Sequence, residues 1–428
     1  MNKKRNRKLR KLITICALFA IILSVGTYAW FIGMKTVNVS PFEIEIATTE
    51  GLFLSMDGND WYYNLNVANA NQYGNNTNTW ADDGLIPVST VGEPDKASSR
   101  LKLFEKGSLT ASAGGYRLLT SRVDNYSQVG DGLAQGKGYV AFDLFIKNLS
   151  GEEYYADNNP LNEEAIYLNT NSSVDVSENG GKKNAGIENS VRVAFMQVGR
   201  VSADTKTAST ITGITCDDVM AGDSDTEKVV TGICRNAQIW EPNDTKHVQN
   251  AINWYNKSCD VRTGDDVNLK SSYGTGGCGE VLLDGATNTY AISKELGITD
   301  NVDVYDGTAY NTYGKNTKPQ SDYVATEDKS EFKLIDMDYF TDTEKMIAGA
   351  NRPAFMTLAP YSITKVRVYV FIEGQDIDNY DFASLGKQIS VKFGFTKERY
   401  NQEDFPDYEG PNTHITPTSN DIVDHTEA

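Results

Sequence analysis

The chain has 428 residues, a formal net charge of −18 at pH 7 and 39% hydrophobic residues. So acidic a protein repels nucleic acid and anionic lipid headgroups, and we expect it to bind neither. It contains 23 Tyr, 16 Phe and 36 Gly but only 11 Pro, a composition that favours β-strands joined by long polar loops.

A basic stretch followed by an apolar one opens the chain. Seven Lys and Arg residues precede an uncharged run that begins at Leu12. Small residues at Thr27 and Ala29 fit the −3 and −1 positions of a cut between Ala29 and Trp30, which is the layout of a secretory signal peptide. Cleavage by a signal peptidase would leave 428 − 29 = 399 residues with a charge of −18 − 7 = −25.

A retained membrane anchor is the alternative. Residues 12–34 are 23 uncharged residues, and about 20 are enough to cross a bilayer. Both interpretations leave the basic end in the cytoplasm and the rest of the chain outside. We therefore expect a secreted protein of the cell surface or extracellular matrix, with membrane contact only through an uncleaved leader.

Period-two alternation, which is typical of half-buried strands, recurs along the chain. Strands are predicted in residues 42–46, 51–61, 139–148, 167–177, 190–199, 365–374 and 388–396, with a hairpin turn at Asp57-Gly58. The alternation predicts a buried core that includes Phe142, Leu144, Val193, Val368, Val370, Phe393 and Phe395.

This pattern indicates an all-β protein, a jelly-roll-like antiparallel β-sandwich. The first part of the sandwich is expected in residues 30–200 and its last strands in 346–400. Residues 201–345 form a predicted loop-rich insertion with short helices, for which 247–258 and 342–352 are candidates. Residues 401–428 are polar and contain three Pro, which predicts an extended or disordered tail.

Four of the five cysteines follow the leader, within one 63-residue window: Cys216, Cys234, Cys259 and Cys278. An even set in an exported chain predicts disulfides, with three possible connectivities. The local pairs Cys216–Cys234 and Cys259–Cys278 are favoured because short loops close most readily. Spacings of 18, 25 and 19 do not match the close ligand pairs of zinc sites.

No catalytic centre is predicted. The three His residues form no HExxH motif, and neither GxSxG nor GxxxxGK[ST] occurs. The protein is therefore expected not to be an enzyme and to need no cofactor. Structural calcium is the one candidate ligand, because carboxylates cluster in two predicted loops, although Asp also favours turns for local reasons. These candidate ligands are Asp300, Asp303, Asp306, Asp376, Asp378 and Asp381.

The leader ending in TYAWF resembles the SipW-dependent type of signal peptide on the TasA/camelysin-like family of Gram-positive exported proteins. Residues 42–61, "VRVAF" (191–195), "IWEPN" (239–243) with His247 after it, and "VRVYVFIEGQDID" (366–378) are similar to recurrent blocks of such proteins. The resemblance implies a jelly roll that builds biofilm-matrix fibres, in which the N-terminal segment freed by cleavage completes a neighbour's sheet. Camelysins carry a metallopeptidase label, but this chain shows no ligand set for that activity.

The expected function is that of a structural, fibre-forming or adhesive subunit. It would associate with itself or with other surface or matrix subunits through an apolar N-terminal assembly strand containing Trp30, Phe31, Ile32 and Met34. An extracellular glycan- or ligand-binding module is the first alternative, and a secreted metallopeptidase is the second.

Overall fold

A computed structural model describes part of the chain. The described residues are 38–39, 42–46, 52–67, 85–90, 92–105, 108–112, 115–121, 138–159, 163–168, 172–176, 186–222, 228–265, 267, 281–284, 290–292, 309–313, 334–336, 340–341, 355–374, 376–380 and 388–397.

Strands dominate the described residues. The first twelve are β1 (Asn38–Val39), β2 (Phe42–Ile46), β3 (Leu52–Ser55), β4 (Asn64–Val67), β5 (Pro87–Ser89), β6 (Pro94–Asp95), β7 (Arg100–Leu101), β8 (Phe104–Glu105), β9 (Ser108–Ser112), β10 (Gly115–Ser121), β11 (Val140–Asn148) and β12 (Glu164–Leu168). The others are β13 (Ser173–Val176), β14 (Val191–Ser202), β15 (Val219–Met220), β16 (Lys228–Gly232), β17 (Gln238–Glu241), β18 (Tyr290–Ile292), β19 (Ala309–Tyr313), β20 (Leu334–Asp336), β21 (Phe340–Thr341), β22 (Met356–Leu358), β23 (Ser362–Glu373) and β24 (Gln388–Thr396). The helices are α1 (Ala208–Thr212), α2 (Gln249–Thr263) and a 3₁₀ turn at Ile187–Ser190.

Two sheets make up most of this structure. The large sheet runs in the order β15-β16-β14-β23-β11-β3, with β17 also on β14 and β5 also on β23. The small sheet runs β22-β12-β24-β2-β4, with β1 and β13 also on β24. Most pairings are antiparallel, so the predicted all-β, mainly antiparallel class is confirmed.

The two sheets pack face to face through a shared apolar core. Alternate residues of β11, β14 and β23 meet alternate residues of β12, β13 and β24 in one buried cluster. All seven residues predicted for this core have no exposed surface: Phe142, Leu144, Val193, Val368, Val370, Phe393 and Phe395. The predicted strand phases are therefore confirmed. Phe195 lies edge-on to Phe355 and Phe393, with ring centroids 4.3 and 5.1 Å apart.

The opposite, outer face of the large sheet is also buried. A second apolar cluster contains Phe145 of β11, Met196 of β14 and Phe371 of β23. Residues from the segments 88–103 and 211–239 complete this cluster. A layer of loops and short elements therefore covers the face that simple alternation assigns to solvent.

Part of the predicted insertion is built into the large sheet. β16 and β17 both pair with β14, and β15 pairs with β16. The predicted helix at 247–258 corresponds to α2. The predicted strand at 167–177 is divided between the end of β12 and β13. The candidate helix at 342–352 and the tail at 401–428 lie outside the described residues.

The predicted turn at Asp57-Gly58 follows β3. Gly58 has φ +74°, and a Cβ there would lie 2.9 Å from the side chain of Ile211, so the turn requires glycine for both conformation and space. Ser55 Oγ accepts a 2.8 Å hydrogen bond from Gly58 N, and Asp57 Oδ1 accepts from Asn59 N and Asp60 N. After the turn, Tyr62 pairs with Leu54 and the chain crosses to the small sheet as β4.

Candidate functional site

Three of the stretches quoted from the sequence meet at one buried charged cluster. Arg192 of β14, which comes from "VRVAF", donates to Glu241 of β17 and to Asp376 after β23. Ser190 Oγ donates to the same aspartate at 3.1 Å. The side chain of Arg192 has no exposed surface, and those of both carboxylates are less than a tenth exposed. The cluster therefore joins the ends of three neighbouring strands.

His247 extends this cluster towards α2. Its Nδ1 lies 2.7 Å from Asp378 Oδ2, and Val248 N donates to Asp378 Oδ1 at 3.0 Å. The backbone N–H of Asp378 donates in turn to Asp376 Oδ1 at 2.8 Å. The turn after β23 is thus fastened to the start of α2. We call Arg192, Glu241, His247, Asp376 and Asp378 the buried charged cluster.

Burial dominates the electrostatics of this cluster. Desolvation, aided by the charge of Asp376, raises the pKa of Asp378 to about 6. The hydrogen bonds from His247 and Val248 act in the opposite direction and do not cancel it. The side chains of His247 and Asp378 are only 5% and 1% exposed, so a substrate has no direct access to them. In this geometry the cluster holds strands and loops together.

The calcium candidates divide into two groups. Asp376 and Asp378 lie in the buried charged cluster, where their oxygens accept from Arg192, Ser190, Val248 and the backbone. The other four, Asp300, Asp303, Asp306 and Asp381, lie outside the described residues. Within the part of the chain that the structure describes, no three His, Cys, Asp or Glu side chains are grouped to hold a metal ion.

A second buried ionic network centres on Glu163, just before β12. Its carboxylate accepts from Arg200 of β14, from Arg235 at 2.6 Å and from Thr357 of β22. Burial alone would raise the pKa of Glu163, but the hydrogen bonds from Arg235 and Thr357 and the charges of Arg200 and Arg235 hold it below its ordinary value. This network fastens the small sheet to the large one at the rim of the inner core.

The cysteine prediction is confirmed for one pair. Cys216 and Cys234 form a disulfide that encloses β15 and β16. Cys259 of α2 is fully buried and disulfide-bonded, with a partner outside the described residues. Cys278 lies outside them as well, so the pairing of these two remains a prediction. A disulfide is typical of an oxidising compartment and argues against the cytoplasm.

The N-terminal strands occupy a defined position in the small sheet. β1 pairs in parallel with the start of β24, Asn38 beside Gln388, and β2 continues in parallel along it, Ile44 beside Phe393. The other edge of β2 pairs with β4. The predicted cut at Ala29–Trp30 and the assembly residues Trp30, Phe31, Ile32 and Met34 lie outside the described residues. They precede β1 by only a few positions.

Sequence reasoning found the stretches that form the buried charged cluster but not their contacts. The signal was visible in β14, where Arg192 and Arg200 interrupt a mainly apolar strand. A buried arginine requires carboxylate partners, because an unpaired charge is costly to bury. Those partners are 37 to 184 residues away in sequence, and only the fold brings them together.

The chain matches no protein-family model, no curated protein and no solved structure. Among the described residues, no helix has the length and apolar character needed to cross a membrane. Residues 12–34, where an anchor is the alternative to a cleaved leader, lie outside the described part.

Proposed function

We propose that the protein is an exported, non-enzymatic subunit of the cell surface or biofilm matrix that assembles through its N-terminal segment. We also propose that the fold has a jelly-roll topology and that the chain is related to the TasA/camelysin-like family. One observation carries it: the strands that follow the predicted cleavage site, β1 and β2, lie in parallel beside β24 of the small sheet.

The physical argument concerns main-chain pairing. A strand beside β24 is held by backbone hydrogen bonds, which a second copy of the same segment could also make. The segment just before β1 is apolar at Trp30, Ile32 and Met34. Freed from the leader, such an end is poorly accommodated in water and can extend into a neighbour's sheet. Cleavage would then convert a tethered precursor into an assembling subunit.

The first test is the N-terminus of the protein released by cells that express the full-length gene. We expect sequencing to begin Trp30-Phe31-Ile32. If Met1 remains and the protein fractionates with membranes, the anchor interpretation is correct and the proposed switch is wrong.

The second test is assembly. We expect fibres or large oligomers of the released protein by electron microscopy, and their loss when Ile32→Asp and Met34→Asp are combined. Val267→Asp with Leu282→Asp is a matched control, because those apolar side chains are 73% and 69% exposed in the described structure. Oligomers that persist in the first variant, or that vanish equally in the control, would contradict assembly through the N-terminal segment.

A further inference from the structure

Three aromatic side chains lie together on the outer face of the large sheet, beside its β3 edge. Leu52 and Leu54 face the inner core, so Phe53 between them faces outwards. The Leu54–Tyr62 bridge places Tyr63 opposite Phe53 and Trp61 opposite Ser55, on that same face. The ring centroids of Phe53 and Tyr63 lie 4.8 Å apart. We call Phe53, Trp61 and Tyr63 the aromatic platform.

Polar groups border the aromatic platform. Lys147 is the β11 partner of Phe53, and its Nζ lies 4.7 Å from the centre of the Trp61 ring. Asn59 and Asp60 are exposed in the adjoining turn, and Tyr63 itself is 53% exposed. Tyr63 is thus the most exposed ring of the platform, Phe53 and Trp61 are half-buried, and hydrogen-bonding groups lie at the edge.

Hydrogen bonds fix the backbone that carries the aromatic platform. Reciprocal 2.8 Å hydrogen bonds join Leu54 to Tyr62, and the side chains of Ser55 and Asp57 accept four backbone N–H groups within the turn. Trp61 packs against the outer apolar cluster. Because the backbone that carries the rings is already fixed, a ligand that binds them loses little free energy in organising that backbone.

We propose that the aromatic platform binds a neutral, hydroxyl-rich polysaccharide. A pyranose ring presents C–H groups on its faces and hydroxyls around its rim, which matches the exposed Tyr63 ring, supported by Phe53 and bordered by amide, carboxylate and ammonium groups. A protein partner fits less well, since one side of a protein interface has about 20–30 residues and this platform has three rings. The net charge of −18 disfavours a polyanion. This inference does not depend on assembly through the N-terminal segment.

The test is affinity gel electrophoresis of the released protein in four neutral polysaccharides: hydroxyethylcellulose, mixed-linkage β-glucan, galactomannan and dextran. We expect at least one of them to retard the wild-type protein. Tyr63→Ala should weaken that retardation about five- to tenfold, because it removes one stacking ring. Tyr63→Phe keeps the ring and should retain most of the binding.

Tyr155→Ala is the matched control, since Tyr155 is also 53% exposed and lies elsewhere in the described structure. It should bind like the wild type. Thermal unfolding of each variant verifies that it is folded, which is expected because Tyr63 is a surface residue. The absence of retardation in all four polymers would overturn the proposal. Unchanged binding by Tyr63→Ala, or an equal loss of binding in Tyr155→Ala, would overturn it as well. Ultracentrifugation tests whether the platform instead joins two copies of the protein. A dimer that Tyr63→Ala abolishes, and that polysaccharide does not dissociate, would also overturn the proposal.

Discussion

The inner and outer faces of the large sheet are both buried, but in different ways. The inner face is predominantly apolar along β11, β14 and β23, where it meets the small sheet. The outer face combines apolar residues with a buried ionic triad. Arg367 Nε donates to Asp143 Oδ1 at 2.8 Å, and Lys365 Nζ lies 3.2 Å from Asp143 Oδ2. Two sheets form the inner core, whereas loops and short strands cover an amphipathic surface on the other side.

The difference shows what burial of the outer face requires. Lys365 also donates to the carbonyl of Thr212 at 2.9 Å, and Arg367 donates to that of Ser99 at 2.7 Å. Both acceptors belong to the covering layer. Burial lowers the pKa of Lys365, although the charge of Asp143 opposes that shift. The charged residues of this face therefore bind the layer that covers it.

The largest effect is expected for the replacement of two phenylalanines of β11, one on each face of the large sheet. Phe142 faces the inner core and Phe145 the outer cluster, and both are fully buried. Replacing either with Ala should lower the free energy of unfolding by about 3–5 kcal/mol, because each truncation leaves a cavity. Chemical denaturation measures this quantity. Tyr155→Ala, at an exposed site, should change it by no more than about 0.5 kcal/mol. A cost for Phe145→Ala as small as that of the control would mean that the outer face is not a core.

The next prediction concerns the ionic triad of the outer face, which consists of Asp143, Lys365 and Arg367. Asp143→Ala leaves Lys365 and Arg367 buried without their carboxylate, so it should destabilise the protein by roughly 3–5 kcal/mol. Asp265→Ala removes an exposed carboxylate and serves as the control. The measurement is again the free energy of unfolding. If the two variants were equally stable, solvent would reach the triad and the covering layer would be loose.

Sequence reasoning succeeded on the inner face for a clear reason. Alternation in "YVAFDLFIKN" and "KVRVYVFIEG" determines which residues share a face, and the apolar set must be buried. It could not recognise that Phe145, Tyr369 and Phe371 are buried as well, because the segments that cover them lack periodicity of their own. The same limit applies to the buried charged cluster. The sequence shows Arg192 and Asp376 in separate stretches, and their pairing depends on the tertiary fold.

Removal of the Cys216–Cys234 disulfide is a further test of the covering layer. Cys216 packs against the outer cluster, and Cys234 is nearly buried. Replacing both with Ser should lower the free energy of unfolding by about 3 kcal/mol, the loop-entropy value for a separation of this length. Peptide mapping without reduction should recover Cys216 linked to Cys234, and Cys259 linked to Cys278. A free thiol at position 216 or 234 would contradict the structure. A different partner for Cys259 would contradict only the predicted second pair.

The smallest expected effect concerns Glu163 at the rim of the inner core. Its pKa is depressed in the folded protein, so the folded state binds a proton there less readily than the unfolded chain does. The stabilisation from Glu163 is thus fully present above the unfolded pKa of about 4.5 and is lost as the pH falls through the lower folded value. We expect wild-type stability to fall in acid, and Glu163→Gln to be less stable at pH 7 with a shallower decline below pH about 5. Asp157→Asn is the control, because the side chain of Asp157 is 45% exposed and lies 3.7 Å from Arg200 of the same network. An acid decline of equal steepness in wild type and Glu163→Gln would show that other carboxylates govern acid unfolding.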